Sequence, residues 1–439
     1  MSLKKIVNWA VAFAILGFSF CLNAETLGVY KTESGAGWLE KTGNGQLILH
    51  LKGTYYEMGY QQGKLLKNEC LLTMNSVKGL LRDYLPIAPF GLTRKLLYRY
   101  IYQKEAPYIP PEFQEEMKGL ADATGAKLKD IQALHSMIFL ASCSASAAYG
   151  KASKDGSLYQ TRSLDYPLNF IDRKTGTPLQ NQNLIVVYQP QSGVPYINLT
   201  WPGFLGSVGG MNARKISVSE MTDDSRYESR AGLPMIFRIK QTLSRAESLD
   251  QAVALMTQGA LEGGYNFIVG DGKIPKAMVL EMDAKSVYLG SWDGPAESNS
   301  YYYGRKKYQY HSAEGLLVRT NHPLSKDLIS NHTGPIEGAK GESGNRFWDL
   351  QARLEKEYGS LDLIRMMEIM REHYQAMCGA PDFEDCSSTI YQAAFAPGTG
   401  DFLYASAYGN PKKESEFKVS AYNQPYQKYN LYELLQRKP

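Results

Sequence analysis

A thiol, a guanidinium and a carboxyl fall on one short stretch, at Cys143, Arg162 and Asp165. Thiolate is the nucleophilic form of cysteine; a cation beside it lowers its pKa, and a carboxylate in the same set can help to orient it. Between them Asp155-Gly156 is a strong hairpin-turn signal, joining SCSASAAYGKA to SLYQTRSLDY as two strands. A turn centred there sets Cys143 opposite about Leu168, with Arg162 and Asp165 roughly 10–20 Å along the strand pair. Residues three apart on a regular strand face opposite sides, so a bulge or a strand end is needed to bring both to the thiol. A surface ion pair beside a buried cysteine fits the same spacing.

Other nucleophile and cofactor patterns are missing. GFLGS around Ser207 and GESGN around Ser343 have the wrong spacing for a nucleophile elbow. There is no P-loop and no Gly-x-Gly-x-x-Gly on a strand-to-helix turn. His50, His135, His311, His322, His332 and His373 are scattered without metal-ligand spacing, so neither a metal nor a cofactor is expected. Cys70 lies on an apolar helical stripe with Leu66, Met74, Val77 and Leu81 and reads as a buried small hydrophobe. Cys378 and Cys386 bracket the loop CGAPDFEDC, where a local disulfide is plausible in an oxidising compartment. Asn198 and Asn331 begin sequons that matter only in a eukaryotic secretory host.

The compartment is set at the N-terminus. MSLKKIVNWAVAFAILGFSFCLNA, residues 1–24, has a lysine pair, an apolar run of signal-peptide length and a small residue at Ala24. Secretion or a periplasmic location is expected, with no stable membrane span once the leader is removed. Formal charge is +4, from 48 basic and 44 acidic residues. Two of the lysines belong to the leader, leaving a balance too even for a nucleic-acid footprint. Tyrosine is abundant at 31 residues, which suits strand-rich polar walls as well as a binding surface.

The elements around the candidate thiol follow from periodicity. Thr54 and Glu57 have capping-box spacing ahead of one long or kinked helix over 55–85, where Gly59 and Gly63 would let another element pack closely. Pro111 opens a second helix ending near Gly125, and a third runs over about 128–140, so the first 140 residues read as largely helical. Strands are expected at 184–189, 196–201, 215–220, 265–270, 277–282 and 286–292, and helices at 234–243, 249–258 and about 347–374. A final hairpin, TIYQAAFAP-GTG-DFLYASAYG, closes the globular part. Elements come in blocks rather than in βαβ alternation, which favours a single α+β layered sandwich.

ASCSASAAYGKASKDGSLYQTRSLDY resembles the nucleophile segment of the acyl-coenzyme A:isopenicillin N acyltransferase-like family of N-terminal-nucleophile hydrolases, relatives of choloylglycine hydrolases. GTYYEMGYQQG, GGMNARKISVSE, GGYNFIVGDG, VRTNHP and SGNRF follow in the family's order, spanning about residues 50–405. The resemblance implies a four-layer αββα sandwich with mostly antiparallel sheets. It also implies a precursor that cuts itself between Ser142 and Cys143, giving a helical segment (25–142) and a chain carrying the nucleophile (143–439) that stay associated in one composite catalytic domain. Cys143 would supply both the thiol and, as a new α-amine, its base. Arg162 and Asp165 match the family's Arg-x-x-Asp and would hold the thiol and its amine. Asn321 matches the asparagine whose side-chain amide stabilises an oxyanion, and Arg346 the arginine that supports the nucleophile. Departures occur where relatives carry a second oxyanion asparagine, here Thr222, and where Glu and Gly follow Gly-Met-Asn, here Ala213 and Lys215. They make bile salts a poor fit.

The implied activity is that of an exported amidase or acyltransferase, cleaving a linear N-acyl amide of small-molecule type through a cysteine thioester. A lipid-ester hydrolase on the same fold and a non-catalytic binding protein are the alternatives.

Overall fold

The computed structural model describes residues 24–84, 90–136, 142–303, 305–336, 343–378 and 388–439. The leader up to residue 23, the expected end of the third helix over 137–140, and Cys386 lie outside them.

Two sheets form the centre. The larger runs β1 (Glu25–Lys31), β2 (Ala36–Lys41), β3 (Leu47–Gly53), β6 (Leu184–Pro190), β7 (Tyr196–Thr200), β8 (Gly209–Asn212), β9 (Ile216–Asp223), β10 (Gly264–Asp271), β11 (Lys276–Met282) and β12 (Val287–Gly290) in spatial order. The smaller runs β15 (Leu316–Arg319), β4 (Ser142–Gly150), β5 (Gly156–Asp165), β16 (Thr389–Ala396), β17 (Asp401–Ser406) and β18 (Gln427–Asn430). Every neighbouring pair in these sheets is antiparallel except β3 with β6, where Leu47 faces Leu184 in parallel.

Side-chain alternation divides the interior into three cores. On β6, Leu184, Val186 and Tyr188 pack outward under helices while Ile185 and Val187 pack inward toward the smaller sheet. The outer helices are α1 (Tyr55–Leu65), α2 (Lys67–Tyr84), α3 (Pro111–Thr124), α4 (Leu128–His135), α5 (Met235–Arg245) and α6 (Leu249–Thr257). On β16, Tyr391, Ala393 and Phe395 face the larger sheet, whereas Ala394 and Ala396 face α7 (Ser343–Lys356) and α8 (Leu363–Cys378). The result is an α+β sandwich layered αββα, as the motif order implies.

Thr54 caps α1 with the expected box: its hydroxyl accepts from the Glu57 N–H and the Glu57 carboxylate accepts from the Thr54 N–H. Leu66 interrupts the expected long helix, and Gly125, at φ +77°, ends α3. Where α1 crosses α3, a Cβ on Gly59 would lie 2.1 Å from the Glu116 carbonyl oxygen, and one on Gly119 2.0 Å from that of Tyr56. The crossing therefore requires glycine on both helices.

Several expectations are corrected. The helical character expected of the first 140 residues holds for the described residues from Tyr55 to His135, whereas β1–β3 occupy 25–53 and join the sheet formed after Cys143. The helix expected over 347–374 is two helices, broken around Gly359 at φ +81°. The hairpin β16–β17 does not close the fold: β18 pairs with β17 beyond it.

Lys215 is the one non-glycine with positive φ among the described residues, at +67°, in the β8–β9 turn where relatives were noted to carry glycine. Asn212 braces that turn, its Oδ1 accepting from the Arg214 and Ile216 N–H groups at 3.0 Å each. Left-handed backbone costs an L-residue roughly 1–2 kcal/mol. Glycine loses part of that gain through its freer unfolded chain. Lys215→Gly should therefore stabilise the protein by about 0.5–1 kcal/mol in chemical denaturation, if strain outweighs that freedom.

Candidate active site

Cys143 is the second residue of β4, fully buried, with its side chain in the core between the sheets. It pairs with Leu164, and Asp165 pairs with the exposed Ser142 at the strand's start. The register thus differs from expectation by four residues. The chain turns before Asp155-Gly156, with Gly150 already opposite Gly156 and an irregularity between Ala148 and Gly150. Arg162 and Asp165 do lie on opposite faces, and no bulge beside them is needed because the two faces do different work.

On the inner face, Arg162 Nη2 is 3.7 Å from Cys143 Sγ and donates to Glu220 Oε2 at 3.2 Å, while Nε donates to the Tyr391 hydroxyl at 3.1 Å. Its Nη1, fully buried, makes no hydrogen bond. Gly209 gives this side chain passage, since a Cβ there would sit 3.0 Å from Arg162 Cδ. Burial pushes the Cys143 thiol up to about 12; Arg162 and Arg346 oppose that, and Glu220 and Asp165 add to it. In the uncut chain the sulfur is therefore protonated at neutral pH.

On the outer face, Asp165 accepts from Tyr374 Oη, from Thr389 Oγ1 at 2.8 Å and from Ser163 Oγ at 2.9 Å. Burial pushes its carboxyl up, against Arg346 and those three donated bonds. Tyr374 Oη is 2.9 Å from Ser144 Oγ, which accepts from Arg346 Nη1 at 3.0 Å. Asp165 thus reaches the Cys143 backbone through Tyr374, Ser144 and Arg346 rather than by direct contact.

Asn321, in the turn after β15, and Arg346, on α7, meet at the Cys143 peptide. The Cys143 N–H donates to Asn321 Oδ1 at 2.7 Å, and Arg346 Nη2 donates to that same oxygen at 2.7 Å. Arg346 Nη1 donates to the Cys143 carbonyl. A guanidinium is donor-only, so it fixes the Asn321 amide with oxygen toward Cys143 and Nδ2 toward the Thr222 carbonyl, 2.6 Å away. Asn321 therefore meets the nitrogen of the Ser142–Cys143 bond with its carbonyl, where the resemblance implied its amide on an oxyanion. Asn266, on β10, donates to the carbonyls of Thr320 and His322 at 2.9 Å each and so holds the turn bearing Asn321 from both sides. Buried His322 lies against Tyr310 Oη and Ser343 Oγ rather than Cys143, and burial lowers its pKa well below the ordinary range, which makes it a weak base.

The structure brings Arg162, Asn321 and Arg346 onto Cys143 and Asp165 near it through intermediaries, together with Glu220, Tyr374, Tyr391 and Ser144, which sequence reasoning misses. Glu220 ends the GGMNARKISVSE motif and sits in mid-strand on β9, where its sequence signal is an acidic residue inside an apolar and small-residue run. Thr222, at the position of the missing asparagine, spends its hydroxyl hydrogen on Glu220 Oε1 at 2.9 Å.

Beside this cluster opens a mostly apolar pocket of about 1140 Å³ counting its mouth. Leu164, Glu220 and Thr222 form its near wall, Met74, Phe170 and Phe204 its sides. His135, in its wall, is neutral: Nδ1 donates to the Ile131 carbonyl, Nε2 accepts from the Leu205 N–H, and burial lowers its pKa to about 4. Glu105 and Glu262 also line the pocket, pushed up by burial to about 7 and about 9. For a carboxyl raised this way, the stability it contributes is whole below the ordinary carboxylate range and is lost as pH rises toward the folded value. Glu262→Gln should therefore stabilise the protein by about 2 kcal/mol at pH 8 and leave it unchanged at pH 4, read by thermal melts at both pH values.

Asn198 is fully buried, so it does not accept a glycan in this fold. Cys70 and Cys143 carry free thiols; the expected pairing of Cys378 depends on Cys386, which is not described. Among the described residues no helix is long and apolar enough to cross a membrane.

Residues 171–408 match the family model described as acyl-coenzyme A:6-aminopenicillanic acid acyl-transferase. The match contains Asn321 and Arg346 and begins after Cys143, Arg162 and Asp165. Protein dcd1A of Dictyostelium discoideum is 30% identical over 237 residues, covering 47% of this chain and 51% of that protein. N-acylethanolamine-hydrolyzing acid amidase of Mus musculus is 24% identical over 191 residues, covering 42% of this chain and 50% of that one. The chain thus spans about half the length of these two relatives. The solved Caenorhabditis elegans ortholog of N-acylethanolamine-hydrolyzing acid amidase is 17% identical, covers 66% of this chain and 99% of its own, and has a TM-score of 0.40.

Proposed function

The chain belongs to the acyl-coenzyme A:6-aminopenicillanic acid acyl-transferase family, and on that premise we propose that it is a self-cutting cysteine amidase or acyltransferase acting on linear N-acyl amides. The observation that carries this is the convergence of Arg162, Asn321 and Arg346 on the sulfur, nitrogen and carbonyl of one residue, Cys143. A structural cysteine needs no such set.

In the first step the Cys143 sulfur attacks the Ser142 carbonyl carbon, the peptide C–N bond breaks, and the thiol proton passes to the nitrogen, which leaves as the α-amine of Cys143. Water then hydrolyses the thioester, leaving Ser142 as a carboxylate. That amine has a reference pKa of about 7.7–8.0, so near neutral pH it can take the thiol proton. In turnover the thiolate attacks the substrate acyl carbon, and the amine returns its proton to the leaving nitrogen. Water or a second amine releases the acyl group. Arg162, with an unspent buried donor at Nη1, faces the sulfur on which charge forms. Asn321 holds the nitrogen through both stages.

The apolar pocket beside Leu164 and Glu220 suits the acyl arm. Export by the residue 1–24 leader and a Cys378–Cys386 disulfide belong to the same proposal. Strand pairing of β3 with β6, across the cut, would keep the two chains together.

A panel of simple N-acyl amides and matched esters, followed by amine release and trapping of the acyl-enzyme with hydroxylamine, tests the activity. Amide turnover with a trapped Cys143 thioester is expected; an untouched panel counts against it. Asn321→Ala should lower kcat by about 100- to 1000-fold with a smaller change in KM, as loss of one polar contact at a reacting centre does.

A further inference from the structure

The pocket wall holds polar atoms that the amide chemistry does not use. Thr73 Oγ1, Glu105 Oε2, Trp201 Nε1 and Glu262 Oε1 are each buried without a hydrogen-bond partner, and all four residues line the pocket. Glu105 is 1% exposed and Glu262 4%. Ser136 hydrogen-bonds to the Glu105 carboxyl, but one oxygen of each glutamate stays unpaired, and a buried polar atom left so is costly and uncommon in folded proteins.

Nearby cations do not satisfy them. Arg238 spends its guanidinium on the carbonyls of Met256, Gln258 and Ala260, at 3.2, 2.8 and 2.7 Å, where it caps α6. Arg230 is partly exposed and sits 4.0 Å from Glu228. The two carboxyls also face each other electrostatically, Glu105 raising Glu262, with Arg230 and Arg238 only moderating the pair. A mostly apolar pocket whose lining carries two buried carboxyls, each with an unpaired oxygen, matches a ligand with an apolar stem and a donor-bearing tip.

We propose that Glu105 and Glu262 form a subsite for the hydrogen-bond-donating tip of an apolar substrate arm, a hydroxyl or a primary ammonium. The subsite rests on the amidase function for its role in turnover, but binding at it is measured without turnover. An arm ending in a carboxylate would bring a third acid to the pair and is disfavoured.

The test is calorimetric titration of the full chain at pH 7 with 1-hexanol, hexylamine and hexanoate, three probes sharing one stem. The alcohol or the amine should bind at least about tenfold tighter than hexanoate, the scale of one charge-assisted hydrogen bond. Glu105→Gln and Glu262→Gln should erase that preference while melting cooperatively. Equal affinity for all three probes in the wild type overturns the subsite, whether or not the glutamate variants fold. So does an undiminished preference in well-folded variants. Probe preference without amide turnover would keep the subsite and remove the amidase function; amide turnover with equal probe binding would do the reverse.

Discussion

Replacing Cys143 by alanine should lower amide turnover by at least about 10 000-fold, because it removes the attacking atom rather than one of its supports. Stability should change little in comparison. The deleted sulfur makes one 3.7 Å contact with Arg162, and the neighbours that hold the strand act on backbone atoms that alanine keeps. Cys143→Ser sharpens the test. A hydroxyl fits the same space but is a poorer nucleophile with an amine as base, so slow residual cutting is expected there and none in Cys143→Ala. An alanine variant that releases amine at the wild-type rate would remove Cys143 from the chemistry. Initial-rate assays on purified protein read both outcomes.

The second large effect is expected at Arg162. Its guanidinium lies among Cys143, Glu220 and Tyr391 with no solvent exposure. Arg162→Ala strands Glu220 as a buried charge, and breaking a buried pair from one side costs about 3–5 kcal/mol. Turnover should fall by about 100-fold or more, the scale of losing a charged group at a reacting centre. Stability loss alone could lower activity, so the informative partner is the double variant Arg162→Leu with Glu220→Leu. Removing both charges should restore much of the melting temperature and none of the activity. If it restores both, Arg162 serves the fold and not the thiol. Arg162→Lys should keep Glu220 partnered yet lose the second contact, since one ammonium cannot fork to Glu220 and Tyr391 together.

Much of the scaffold is readable from local pattern. Thr54 with Glu57, Pro111 and Gly125 mark helix ends because each acts on backbone groups within a few residues of itself. The strands from Leu184 to Met282 are apolar on both faces, being covered by helices on one side and the second sheet on the other. What fails is set by distant partners. ETLGVYK is largely exposed edge strand, and its membership in the sheet comes from pairing with β2, not from its own composition. The hairpin register fails because the tight-turn signal at Asp155-Gly156 marks the start of β5 rather than the centre of the turn.

The site divides the same way. Arg162 and Asp165 are visible from spacing, yet the spacing argues against them if both must touch one atom. They serve Cys143 from opposite faces of β5, one at the sulfur and one through Tyr374, Ser144 and Arg346. Glu220 escapes notice because its partner is on the other sheet, 58 residues away in sequence. Asn321 and Arg346 enter through motif resemblance, and their atoms meet Cys143 across separations of 178 and 203 residues.

The central claim is that the Ser142–Cys143 bond is cut by Cys143 itself, and intact-mass measurement of the purified full-length chain, wild type beside Cys143→Ala, tests it most directly. The wild type should yield a piece beginning at Cys143 and ending at Pro439 together with its upstream partner, while Cys143→Ala remains one uncut chain. A wild type that stays whole under conditions where it turns over amides, or an alanine variant cut at the same bond, would contradict it.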